Sequence, residues 1–154
     1  MESTLDKLIR ENVEGLVDGI TKDAVRQIPS YREAPLKITV DRIGNWLRVL
    51  ATSLHENDPQ VLEKYLVTVA HERYAEGYRV TELHNIVQLT EQHLFEYITQ
   101  AELDELERNA LIALCEAAMD AARMVISVTY VLINSGRNQQ LEFQHGSFTH
   151  YPSS

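Results

Sequence analysis

The segment Val69–Leu89, VAHERYAEGYRVTELHNIVQL, holds two apolar stripes of helical period with a single glycine, Gly77, between them. Val69, Ala70, Arg73 and Tyr74 share one helical face before the glycine; Leu83, Ile86 and Val87 share another after it. A glycine at that place suits the left-handed position that ends a helix, where any side chain would be strained. The segment therefore reads as a helix, a corner at Gly77, and a second helix opening at Arg79 or Thr81. Arg73 lies one turn before the corner and Glu82 lies five residues after it.

The same period extends upstream. From Ser3 to Ile28 the residues Leu5, Leu8, Ile9, Val13, Leu16, Val17, Ile20, Ala24 and Val25 recur at helical spacing, and Ser3 or Thr4 can cap the start. Gly15 and Gly19 lie one turn apart inside this helix and clear one face for a close neighbour. Pro29-Ser30-Tyr31 breaks it, and Ala34-Pro35 marks a second turn. A helix from Leu36 or Ile38 to Leu54 carries Ile43, Trp46, Leu47 and Leu50 on its apolar face. Trp46, the only tryptophan, is expected in the core with its indole N–H on an acceptor. The run HENDP, 55–59, closes that helix, and Pro59 suits the first turn of the next.

Downstream, a helix is predicted from Glu102 to Ile133. Its polar residues, Glu105, Asn109, Glu116, Asp120, Arg123 and Ser127, fall on one narrow line, and most other directions are apolar. A helix of that kind must be covered on more than one side. A symmetric homodimer covers the second side most simply, through Leu111, Leu114, Ala117, Ala118, Ala121, Val125 and Val128; the alternative is a helix buried wholly within a monomer. Asp120 and Arg123 can pair with each other beside that face, and Cys115 reads as a buried apolar residue. The helix is expected to break at Ser135-Gly136. Residues 1–133 then form one domain and 134–154 a weakly structured tail. The expected class is all-α, with about five to seven helices, a long C-terminal helix and a dimeric assembly.

Composition removes several functions. The 154 residues carry 23 acidic and 14 basic side chains, a formal charge of −9, and the cations are scattered singly. That balance repels nucleic acid and anionic membrane surfaces. No uncharged run approaches the roughly 18 residues of a membrane span, and no leader peptide is seen, so a cytoplasmic protein is expected. The single cysteine rules out an internal disulfide and a cysteine-rich zinc site. The sequences around His71, His84 and His93 lack the Glu-x-x-His spacing that a di-iron bundle needs on two helices, and no His-Glu-x-x-His is present. There is no phosphate loop and no nucleophile elbow. No catalytic residue, metal or cofactor is assigned. A haem, the sharpest alternative for a helical chain of this length, would need His71, His84 or His93 as its axial ligand.

At the corner the chain resembles a known family. An apolar helix with Arg73-x-x-x-Gly77, followed by Glu82-Leu83 and a second amphipathic helix, is similar to the N-terminal sensor domain of RsbR-type stressosome co-antagonists. The Pro-Ser-Tyr break at 29–31 and the Asn57-Asp58 helix end agree with it, over residues 5–133. The resemblance implies a globin-like helical domain that binds no haem, dimerises, and passes an input to a signalling partner or output module in a bacterial stress response. No anti-sigma-antagonist-like or kinase module follows residue 133 in this sequence, which departs from that layout and leaves two readings, a stand-alone member or a fragment of a longer protein. For Arg73 and Glu82 the residue-level reading is an ion pair or helix capping. The functional reading is an anionic effector held near Trp46, Tyr65, Arg73, Tyr74, Gly77 and Glu82. The functions left standing are a non-enzymatic sensor, a ligand- or haem-binding globin relative, and a protein–protein scaffold module.

Overall fold

The structure, a computed structural model, describes residues 4–144. It contains seven helices and no strand among those residues: α1 Leu5–Glu11, α2 Val13–Gln27, α3 Pro29–Glu33, α4 Leu36–Glu56, α5 Pro59–Ala75, α6 Val80–Gln100 and α7 Glu105–Gln144. No helix among the described residues is long and apolar enough to cross a membrane. α7 packs across α5 and α6, while α2 is laid over α4 and α6 and α1 rests on α4. Their inner faces meet in one core containing Leu16, Ile20, Leu47, Leu50, Leu94, Ile98 and Met119, all fully buried.

The first helix differs from expectation. It is interrupted at Asn12, whose side-chain amide donates to the Leu8 carbonyl at 2.8 Å. That bond offers the backbone an alternative to the helical ladder, which is why Asn is a poor residue inside a helix. The ends that Pro and Gly dictate are where the sequence puts them. Pro29 and Pro59 occupy first-turn positions, and Asn57 closes α4 in the left-handed conformation at φ 50°. Gly77 follows α5 at φ +92°.

α7 begins three residues later than predicted, where Asp104 accepts from the Glu107 amide at 2.8 Å. It then runs through Ser135-Gly136, where a break was expected, to Gln144. A glycine costs a helix only about 1 kcal/mol, and no proline follows within the helix to stop it. Residues 145–154, the remainder of the expected tail, lie outside the described residues.

Gly15 and Gly19 do clear a face, and α6 fills it. A Cβ on Gly15 would strike the Tyr97 hydroxyl, and one on Gly19 would lie 2.7 Å from the His93 ring. The two neighbours differ in how freely they move. Tyr97 meets Gly15 with the tip of a half-buried side chain, whereas His93 is held by Asp23 of α2 at 2.7 Å. Gly19→Ala is therefore expected to lose about 1–2 kcal/mol, an overpacking cost that exceeds the ~1 kcal/mol helix-propensity gain. Gly15→Ala should be close to neutral. Urea unfolding followed by Trp46 fluorescence measures both; equal effects would refute the assignment of His93 as the rigid neighbour.

Candidate functional site

The corner is built by backbone bonds. The Tyr78 amide donates to the Arg73 carbonyl at 2.9 Å and the Gly77 amide to the Tyr74 carbonyl at 3.0 Å, the bond pair of a Schellman ending. With those carbonyls satisfied, the Arg73 side chain is not needed as their cap. It turns inward, 6% exposed, and its Nη1 lies 3.5 Å from Glu72 and 3.6 Å from Glu76. Arg42 on α4 donates through both terminal nitrogens to Glu76, at 3.0 and 2.9 Å, which ties α4 to the end of α5.

Glu82 serves the other side of the corner. Its Oε1 accepts the Arg79 amide at 2.9 Å, capping α6, and its Oε2 accepts the Ser30 hydroxyl from α3. No ion pair joins Arg73 to Glu82 among the described residues. Burial alone would raise the Glu82 carboxyl, but the Arg79 amide and Ser30 hydroxyl outweigh it and hold it below the ordinary range. A carboxyl depressed in the folded state stabilises the fold above its unfolded pKa of about 4.3, and that contribution is lost as pH falls through the lower folded value. Glu82→Gln should thus cost about 1 kcal/mol at neutral pH and flatten the loss of stability on acidification. Melting temperatures from neutral pH down to acid test this; parallel curves for the two proteins would refute it. Asp6, also held low, titrates in both proteins and cancels from the difference.

The expected effector residues divide. Trp46, Tyr65 and Arg73 line one half-enclosed cavity of about 60 Å³, together with Tyr31, Arg42, Leu83 and Ile126. Tyr74, Gly77 and Glu82 are not among its lining residues. Tyr74 faces α7 instead, donating to Asn134 at 2.6 Å and stacking edge-on against Tyr130 at 5.3 Å. Tyr130 donates to the Tyr78 carbonyl at 2.8 Å, so two tyrosines latch the second half of α7 to the corner. The Trp46 indole donates to the Thr90 hydroxyl at 2.9 Å, the acceptor its burial requires. Tyr31 and Arg42 were not singled out for this cavity from sequence. Arg42 was legible in principle, since it precedes Trp46 by one helical turn and shares its face.

α7 shows two different apolar faces. Leu111, Cys115, Met119, Ala122 and Ile126 are buried in the core. The opposite face is bare. Among the described residues, six of the eight large exposed hydrophobic residues lie on α7: Leu106, Leu114, Met124, Val128, Val131 and Leu132. Beside this face runs a groove of about 360 Å³ between α7 and the α4–α5 junction, lined by Leu50, Leu54, Leu62, Leu114, Ala118 and Val125 among others. Of the residues expected at a dimer interface, Leu114, Ala117, Ala118, Ala121 and Val125 line the groove and Val128 lies beyond it. Leu111 does not belong with them: it is 6% exposed in the core of its own chain. The polar line of α7 is bound to α6, with Arg123 on Glu91 at 2.9 Å and Ser127 beside His84 at 2.9 Å.

The histidines lie elsewhere. His93 pairs with Asp23, His84 meets Ser127, and His71 is exposed. None of the three lines the corner cavity or the groove. Burial and then the Arg123 guanidinium lower the His84 pKa. Burial raises the Cys115 thiol to about 12. Among the described residues no three His, Cys, Asp or Glu side chains are gathered as a metal would need. Compared with known protein families, curated proteins and solved structures, the chain matches none.

Proposed function

We propose that this chain is a non-enzymatic regulatory domain that acts as a dimer and relays an input through α7. The observation that carries the reading is the bare apolar face of α7, set against a core that is already filled on the opposite face. The positions 106, 110, 113, 117, 121, 124, 128 and 131 follow one another at steps of three or four and hold only Leu, Ala, Met and Val. That is the spacing of a helix seam that meets another helix, and the alanines let the partner approach closely. A second copy of the same chain offers the same face, and a twofold axis closes the contact. The globin-like arrangement and the sensor role in a stressosome-type assembly come from the resemblance at Arg73, Gly77 and Glu82.

α7 is suited to carry a signal because it has one side on each feature. Ile126 lines the corner cavity and its neighbour Val125 lines the groove. A change in packing at the corner reaches the paired helices through adjacent residues of one rigid element. Light scattering on the purified chain tests the dimer, with twice the 17.6 kDa chain mass expected. A monomer at all concentrations would remove the basis of the reading. An absorbance spectrum with a Soret band would shift it to the haem-binding alternative.

A further inference from the structure

The corner cavity contains polar groups that the protein does not use. Tyr31 and Arg73 are each 6% exposed, and both line it. Arg73 meets Glu72 and Glu76 through Nη1 alone, at 3.5 and 3.6 Å, which leaves Nε and Nη2 without a partner among the described residues. The Tyr31 and Tyr65 hydroxyls likewise have no hydrogen-bond partner among the described residues, although Tyr31 stacks edge-on against Tyr78. None of these atoms is sealed from solvent, so they face the open cavity and are available to a ligand there. The rest of the lining is apolar: Ile43, Trp46, Leu83 and Ile126.

We propose that this cavity binds a short-chain carboxylate, its two oxygens on the free edge of Arg73 and the Tyr31 and Tyr65 hydroxyls, its alkyl end against Trp46 and Ile126. The shape of the guanidinium selects a planar, two-oxygen anion over a spherical one. The cavity of about 60 Å³ has room for only a few water-sized groups, each needing at least about 10–15 Å³, which limits the ligand to the smallest carboxylates such as acetate. Arg42 remains committed to Glu76 by two bonds, so Arg73 supplies the charge. Both Tyr31 and Tyr65 stay protonated and able to donate: burial raises their pKa values, and Arg73 and Arg42 only partly offset it. The inference rests on the regulatory reading above, to which it adds the chemical class of the input.

Trp46, the only tryptophan, forms part of the cavity wall and reports on it directly. Sodium acetate is titrated into the full chain at fixed pH and ionic strength, with sodium chloride as the balancing salt and sodium bicarbonate as a second arm. A saturable change in Trp46 fluorescence is expected with acetate. Arg73→Lys should weaken it at least about tenfold, because one ammonium cannot replace the planar fork. Tyr31→Phe and Tyr65→Phe should each weaken it about three- to tenfold. These two variants each remove a single hydroxyl and keep the ring, so they decide the matter even if the arginine variant fails to fold.

No saturation with acetate overturns the proposal. So does saturation with bicarbonate alone, or saturation that all three variants leave unchanged. Light scattering on the same samples separates the two readings. A dimer that ignores acetate refutes only the ligand, whereas a monomer that binds acetate keeps the site and refutes the relay.

Discussion

Ala121→Glu is expected to convert the proposed dimer to a monomer of unchanged helix content. Ala121 is exposed in the single chain, lines the groove and lies at the centre of the α7 seam. In the protomer Ala121 is exposed, so the new carboxylate would reach water. At a twofold interface two such carboxylates would be buried face to face with no cation facing them from the seam. An unpaired buried charge costs several kcal/mol, enough to shift a micromolar dimer wholly to monomer, since each 1.4 kcal/mol is tenfold in affinity. Asp120→Ala provides the control, because Asp120 is highly exposed and only pairs with Arg123 on its own helix. Light scattering should give half the wild-type mass for Ala121→Glu and the full mass for Asp120→Ala, with matching far-UV spectra. An unchanged mass for Ala121→Glu would place the contact elsewhere or nowhere. Leu111→Glu is not an equivalent test, since Leu111 is in the core and its replacement would unfold the chain.

That distinction shows where a sequence stops speaking. Leu111 and Leu114 lie three residues apart on one apolar helix, and periodicity treats them alike. Only the packing of the other helices decides that one is covered by its own chain and the other is not; Leu111 lies beside Leu5 of α1 and Leu54 of α4. The corner was legible because its rule is local: a glycine between two apolar stripes can do little else than turn the chain. Pro29, Pro59 and the HENDP run were legible for the same reason. The break at Asn12 was not, because an asparagine is tolerated in a helix until its side chain finds a carbonyl one turn back. Nor was the continuation through Ser135-Gly136, where two weak breakers are outweighed by helix on both sides. The cavity was half legible. Trp46, Tyr65 and Arg73 were read from their stripes, whereas Tyr31 reaches them from a five-residue helix whose direction no period encodes.

Trp46→Ala should be the most damaging single change among the cavity residues, with a loss of about 3–5 kcal/mol. Three effects add. The indole is 5% exposed and its removal forfeits burial and leaves a void. That void adjoins the 60 Å³ cavity and cannot collapse onto it, since Arg42 and Arg73 are held at the rim by Glu76. The bond to Thr90 is lost as well, although this part is small: the Thr90 hydroxyl still donates to the Ile86 carbonyl at 2.8 Å and loses only a donor. Thr90→Val isolates the opposite half of that bond, leaving the indole N–H buried without an acceptor at about 1–3 kcal/mol. Trp46→Phe should fall below both, because it removes the N–H together with the need for a partner. Urea unfolding must be followed by far-UV circular dichroism, since the only tryptophan is gone from two of these proteins. It must also be run at one protein concentration, or in the Ala121→Glu background, because the proposed dimer would stabilise the folded state by mass action. A Trp46→Phe loss as large as that of Trp46→Ala would mean that the hydrogen bond, rather than the filled volume, holds α4 against α6.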